Sequence, residues 1–299
     1  MMPHMYEAAK KEVLLALYQH TVLTAGQLEV LLHYRKSSIY GMMVELKRQG
    51  LVRRVPLTFL RNHRVGYALL PDGAKVAAVL SGEEQHFRQK SWQDPPVQLE
   101  HEYGANEFFI SLIRHSLSRE QEGMAEWLSA RDAAERYAHF KSSGAKYYPL
   151  RPDGCGLYVR PQGRLVFHLE YDTGSENLSR LQDKLLNYAR VLAGIWERVE
   201  SVHVLVLTKI PGRTRHILED VWDPLLHGVL FGQRVPKVWA ISEPDWIAHG
   251  PLQALWLGAG GKRQTLWEMD LLSPVSHALP LLGKQQRERS PAEKWKKKR

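Results

Sequence analysis

Three carboxylates and one lysine between residues 150 and 190 have the types and spacing to act on a phosphate. The segment RLVFHLEYD alternates strictly, so Leu165, Phe167, Leu169 and Tyr171 share one strand face and Val166, His168, Glu170 and Asp172 the other. Two carboxylates on one face at a strand end repel unless a cation or a proton lies between them. Asp153, at the start of the preceding strand, can come alongside. Three converging carboxylates suit a hard divalent ion, magnesium with manganese as its substitute, which acidifies bound water and neutralises charge developing on a phosphate. The helix that follows, SENLSRLQDKLLNYARV, repeats Arg180, Lys184 and Tyr188 every four residues, so its lysine can be directed back at the site. The predicted chemistry is metal-assisted activation of water at a phosphate. In it Asp153, Glu170 and Asp172 hold the metal, and Lys184 orients water or stabilises the developing charge. Glu102 and Glu107, on an earlier helix, are further candidates.

The elements that must position these groups read as an α/β domain over residues 97–283. A helix covers EHEYGANEFFISLIRHSL, and a short strand lies near Glu126 to Ala130. Two strands then flank the turn at 161–163, the helix follows, and VHVLVLT and VWAIS form further buried strands of a mixed central sheet. Ahead of it, residues 1–92 read helix, helix, helix, hairpin, helix. Apolar residues recur at Val13, Leu14, Leu17 and Tyr18. Thr24 offers an N-cap to a short second helix and Ser37 to a third, in which Ile39, Met42, Met43 and Leu46 face inward and Gly50 supplies the stop. Strands LVRRVPL and RVGYALL enclose a polar tip, and a last helix starts after Pro71 and Asp72. Consecutive prolines in SWQDPPVQ, residues 91–98, place a link there.

The net charge is +9, concentrated at the two ends: residues 1–96 carry +5 and residues 284–299 carry +6. That distribution attracts a polyanion. The tail 284–299 is polar and basic and is predicted to be disordered or to order only on a partner. Cys155 alone cannot form an internal disulfide or a zinc site, and no apolar stretch reaches the length of a membrane span, so the expected compartment is the cytoplasm. GAGGK at 258–262 lacks the spacing and the following Ser or Thr of a Walker loop, and the histidines lack metal-ligand spacing. These patterns argue against an ATPase, a zinc enzyme and a thiol hydrolase.

The phrases TAGQLEVLL, VELKRQGLVRR and YALLPDGAKV, in that order, resemble the winged helix-turn-helix of bacterial DNA-binding proteins. The resemblance implies that the third helix enters the major groove and the hairpin touches the flanking backbone. Carried over by position, Lys36, Ser38 and Tyr40 open the recognition helix and Lys47 and Arg48 close it. Arg53, Arg54, Arg61, Asn62, His63 and Arg64 then form a cationic rim for phosphates. Pro152-Asp153 followed by Glu170-Tyr171-Asp172 is similar to the PD-(D/E)XK phosphodiesterase pattern, with Asp172 where that pattern has lysine and Lys184 supplying it from the next helix. The whole combination, with His101 and Asn106 on the helix between, resembles the plasmid replication-relaxation family over roughly residues 8–210.

The implied function is a DNA-binding protein of a plasmid or mobile element, acting in replication, mobilisation or transposition, with a magnesium-dependent endonuclease or nickase domain. The alternative is a non-catalytic accessory or regulatory factor whose nuclease-like domain dimerises or holds a replication, relaxase or recombination protein. The partner in either case is double-stranded DNA, with a homodimer allowed and no membrane.

Overall fold

The structure, a computed structural model, describes residues 3–61, 64–87, 92, 94, 96, 98–138 and 149–271. The basic tail from 284 lies outside these residues. The chain forms two compact units, Met1–Ile110 and Ser111–Arg299.

In the first unit, α1 (Pro3–His20), α2 (Ala25–Leu32) and α3 (Lys36–Arg48) precede a hairpin of β2 (Val52–Pro56) and β3 (Val65–Leu69), closed by α4 (Pro71–Ser81). A two-residue strand, β1 (Leu23–Thr24), completes a sheet of order β1-β3-β2. Thr24 caps α2 reciprocally: its hydroxyl accepts from the Gln27 amide at 3.2 Å, and its own amide donates to Gln27 Oε1 at 2.8 Å. Helix α3 begins one residue before the predicted Ser37 cap, with Arg35 at the N-cap position and no side-chain cap. Gly50 adopts φ 71°, the left-handed turn that ends the helix region without a Cβ penalty. Ile39, Met42, Met43 and Leu46 are buried with Val13, Leu17 and Leu28 in one core. Burial of each such side chain contributes roughly 1.5–3 kcal/mol.

Helix α5 (Leu99–Ser116) begins in the first unit and ends in the second, so the division falls inside a helix, whereas composition places a link at 91–98. Trp92 stacks on Tyr18 with ring centroids 5.2 Å apart, and Asn106 Nδ2 donates to His20 O and Val22 O, both at 2.9 Å. These contacts bind Trp92, and Asn106 of α5, to the first core.

The second unit is a seven-stranded mixed sheet of order β10-β9-β8-β7-β6-β5-β4. Its strands are β4 (Gly123–Ser129), β5 (Gly154–Arg160), β6 (Gly163–Asp172), β7 (Val202–Thr208), β8 (Lys237–Ser242), β9 (Leu255–Gly258) and β10 (Arg263–Thr265). The pairs β6–β7 and β7–β8 are parallel and the rest antiparallel. α6 (Ala130–Tyr137) follows β4, and α7 (Leu178–Ile195) joins β6 to β7. After β7 come α8 (Arg213–Arg215), a π-helical stretch His216–Trp222 and α9 (Asp223–His227); α10 (Glu243–His249) follows β8. Leu181, Leu185, Tyr188 and Leu192 of α7 pack with Val166, Val204, Val206 and Ala240 of the sheet. That packing aims one face of α7 at the end of β6, where the carboxylates lie. Where β5 pairs with β6 a Cβ on Gly156 would stand 2.2 Å from the Phe167 ring, so any larger residue there would have to displace the ring.

Candidate nucleic-acid interface and carboxylate cluster

In the first unit, α3 is set against α1 by an ion pair, Lys10 Nζ to Glu45 Oε1 at 2.8 Å, on a lysine side chain only 6% exposed. With its apolar face buried, α3 presents Lys36, Tyr40, Lys47 and Arg48 to solvent. A cleft of about 380 Å³ lies between the starts of α2 and α3 and the hairpin, lined by Gly26, Lys36, Tyr40, Arg54, Arg64 and Tyr67 among others. Burial raises the Tyr67 phenol above its ordinary range, and the nearby Arg54 charge pulls it back. The three cations and two phenols of the cleft can meet a phosphate by charge and by hydrogen bond.

Two of the predicted contact residues stand elsewhere. Arg53 is turned back into its own unit, where its Nη2 donates to Trp92 O at 2.9 Å and to Asp94 O at 2.7 Å, leaving the cationic rim to its exposed neighbour Arg54. Ser38 is half-buried, because the helical turn carries it off the Lys36–Tyr40 line; Ser37 is the exposed serine. Arg61 and Arg64 are exposed, while Asn62 and His63 lie outside the described residues.

In the second unit, Glu170 is the centre of the carboxylate cluster. Its side chain is 3% exposed, pairs with Lys184 Nζ through Oε2, and accepts the Tyr188 hydroxyl at Oε1. Helix α7 delivers both partners from one face, four residues apart. Burial pushes the Glu170 carboxyl up to about 8; Lys184 and Tyr188 pull it down, and the Asp153 carboxylate pushes it further up. Burial disfavours the Lys184 ammonium, but Glu170 and Asp153 outweigh it and hold the lysine above its ordinary range. Asp153 thus lies close to the pair. Its own amide donates to Leu169 O at 3.0 Å, and its Oδ2 accepts the Tyr171 amide at 2.7 Å, latching the start of β5 to β6.

Asp172 is engaged in a separate network. Its Oδ2 accepts Thr208 Oγ1 at 2.7 Å and Arg213 Nε at 2.6 Å, and its Oδ1 accepts the Gly174 amide at 3.0 Å. It anchors the chain after β7 instead of completing a carboxylate trio. Among the described residues no group of three or more His, Cys, Asp or Glu side chains is placed to hold a metal ion. The residues as arranged therefore do not fit a three-carboxylate magnesium site: each carboxylate already has protein donors. Glu107 is likewise spent, accepting Gln27 Nε2 at 3.0 Å in the first unit. Arg180 leaves the cluster for Glu176, with its side chain 79% exposed.

Sequence patterns missed Arg213 and Thr208 as partners of Asp172. Only the pairing of Asp172 with Thr208 on adjacent parallel strands reveals the second. They also missed the contact of the Tyr137 hydroxyl with His168 Nε2 at 2.5 Å beneath the cluster. Burial holds His168 down at about 3, so the imidazole is neutral and shares a hydrogen bond with the phenol.

The order α1-β1-α2-α3-β2-β3 defines a winged helix-turn-helix, here continued into a seven-stranded mixed α/β unit. The chain belongs to the replication-relaxation family, whose model matches residues 14–206. Comparison with curated proteins gives no match. Similar solved structures include a ZitR mutant from Lactococcus lactis at 15% identity and TM-score 0.24, over 26% of this chain and 53% of that one. A MarR mutant from E. coli complexed with operator DNA matches at 21% identity and TM-score 0.24, over 33% of this chain and 73% of that one. The chain thus spans about half the length of the ZitR structure. Among the described residues no helix is long and apolar enough to cross a membrane.

Proposed function

We propose that this protein binds double-stranded DNA in plasmid replication or mobilisation through the winged helix of its first unit. The observation that carries the reading is the cleft between α3 and the hairpin, where Lys36, Arg54 and Arg64 converge on a surface that also exposes Tyr40. In this reading the second unit serves as an accessory part that holds a replication or transfer protein or a second copy. Its support is that Glu170, Asp153 and Asp172 are all satisfied from within the protein.

Arg54→Glu combined with Arg64→Glu reverses two exposed charges at the cleft and should leave the fold intact. Duplex affinity should fall by about 100-fold or more at low salt, and the slope of log affinity against log salt should flatten by about 2. Fluorescence anisotropy on a random-sequence duplex across a salt series measures both. Unchanged affinity with an unchanged slope removes the winged helix from the DNA interface.

A second reading, DNA cleavage, has one observation in its favour: Asp153, Glu170 and Lys184 converge as the PD-(D/E)XK resemblance implies. Magnesium or manganese would then raise the melting temperature of the wild type but not of Asp153→Asn, since a ligand that binds only the native state stabilises it. Supercoiled plasmid would be nicked by the wild type alone. A wild type whose melting is indifferent to both ions, with intact plasmid, discards cleavage.

A further inference from the structure

The outer face of α3 carries two residues that folding does not ask for. Val44 is 71% exposed in mid-helix, one turn beyond Tyr40, which is 47% exposed. A β-branched side chain on a solvent-facing helix position loses rotamer freedom and gains no packing in return. Gly41 lies beside them, also exposed, and a Cβ placed there would meet only the Tyr6 hydroxyl, at an ordinary 3.7 Å. Packing therefore permits alanine at 41, and glycine is the weaker helix former.

Together these residues make a low, methyl-bearing stripe in the middle of a helix whose ends carry Lys36, Lys47 and Arg48, with Arg54 and Arg64 alongside. The cations complement phosphates, which carry no base identity. In the major groove the one apolar group that marks a base is the thymine 5-methyl. We propose that Val44, with Tyr40 beside it, reads thymine methyl groups, and that Gly41 lets the helix approach the base edges closely enough to do so. Val44 is then a specificity-determining residue of the interface, and this rests on the DNA-binding reading above.

The experiment begins with full-length wild-type protein selecting from a random-sequence duplex library. The enriched duplex is then remade with deoxyuridine for thymidine in its core, which removes methyl groups and nothing else. Wild-type affinity should fall about 4-fold for each methyl in contact. Val44→Ala should bind the two duplexes within 2-fold of each other and melt slightly higher, since alanine is the better helix former at an exposed position. Gly41→Ala should melt higher yet bind the selected duplex more weakly. Equal wild-type affinity for both duplexes, a selection that enriches no thymine, or a Val44→Ala protein that still discriminates would each overturn the proposal. So would a Val44→Ala protein whose sedimentation shows lost self-association while its base preference persists, since the stripe would then be a contact between copies. These failures differ from failure of the DNA-binding reading, in which the Arg54→Glu, Arg64→Glu protein binds duplex as the wild type does.

Discussion

Lys184→Met is expected to cost about 3–5 kcal/mol of folding stability near pH 9 but only about 1–2 kcal/mol near pH 6. Glu170 and Lys184 release protons as a pair: the first near 8, the second above the ordinary lysine range. Below the first step a protonated carboxyl accepts a bond from the ammonium, and methionine removes only that bond while keeping the stem. Above it the wild type holds an ion pair, with the carboxylate 3% and the lysine 29% exposed. Methionine then leaves the carboxylate to lie unpaired or to keep its proton against the solvent. Keeping it makes the variant lose stability with rising pH by up to about 1.4 kcal/mol per pH unit after the wild type has levelled off. On a Glu170→Gln background the same substitution should cost under about 1 kcal/mol, because the coupling partner is gone. Urea melts at the two pH values decide. Equal losses at both would assign Lys184 to packing of its stem alone.

Glu170→Gln should remove a pH dependence of about 4 kcal/mol from the second unit between pH 4.5 and 8. Burial raises the native carboxyl to about 8 from an ordinary 4.5, so within that window the native state keeps a proton that the unfolded chain has released. Stability contributed by this group is therefore present below the lower value, falls as pH rises through the window, and is level above it. Glutamine does not titrate and still accepts the Tyr188 hydroxyl through its carbonyl oxygen. His168 and His203, both held at about 3 by burial, work with the opposite sign, losing stability as pH falls below 6.5. They are present in both proteins and cancel in the difference. In the wild type Lys184 acts only above 10.5, outside the window. Chemical melts of both proteins at intervals between pH 5 and 8 give that difference directly, and one that stays constant would mean Glu170 is ionised throughout.

Much of this was legible because it depends on neighbours along the chain. The 3.6-residue period placed Ile39, Met42, Met43 and Leu46 inside, and a hydroxyl three residues before Gln27 placed the start of α2. Strict alternation put Glu170 on the face of β6 toward α7, and the four-residue spacing of Lys184 and Tyr188 put both on the helix face that meets it. Asp153 was recognisable for the same reason, since a tight turn joins its strand to β6.

Only the tertiary structure decided which of these charges remain free. Asp172 shares its strand face with Glu170, yet Arg213, 41 residues further on, claims it across the parallel pairing of β6 with β7. Arg53 and Arg54 are adjacent and alike in sequence. One is turned onto the backbone at 92 and 94 and the other lines the cleft, because successive strand residues point to opposite faces and only folding decides what covers each. Residue type and periodicity thus determined where charges could gather along each element. Long-range pairing determined their partners, because an ion pair forms between groups that the packed core brings within reach, at separations no local pattern records.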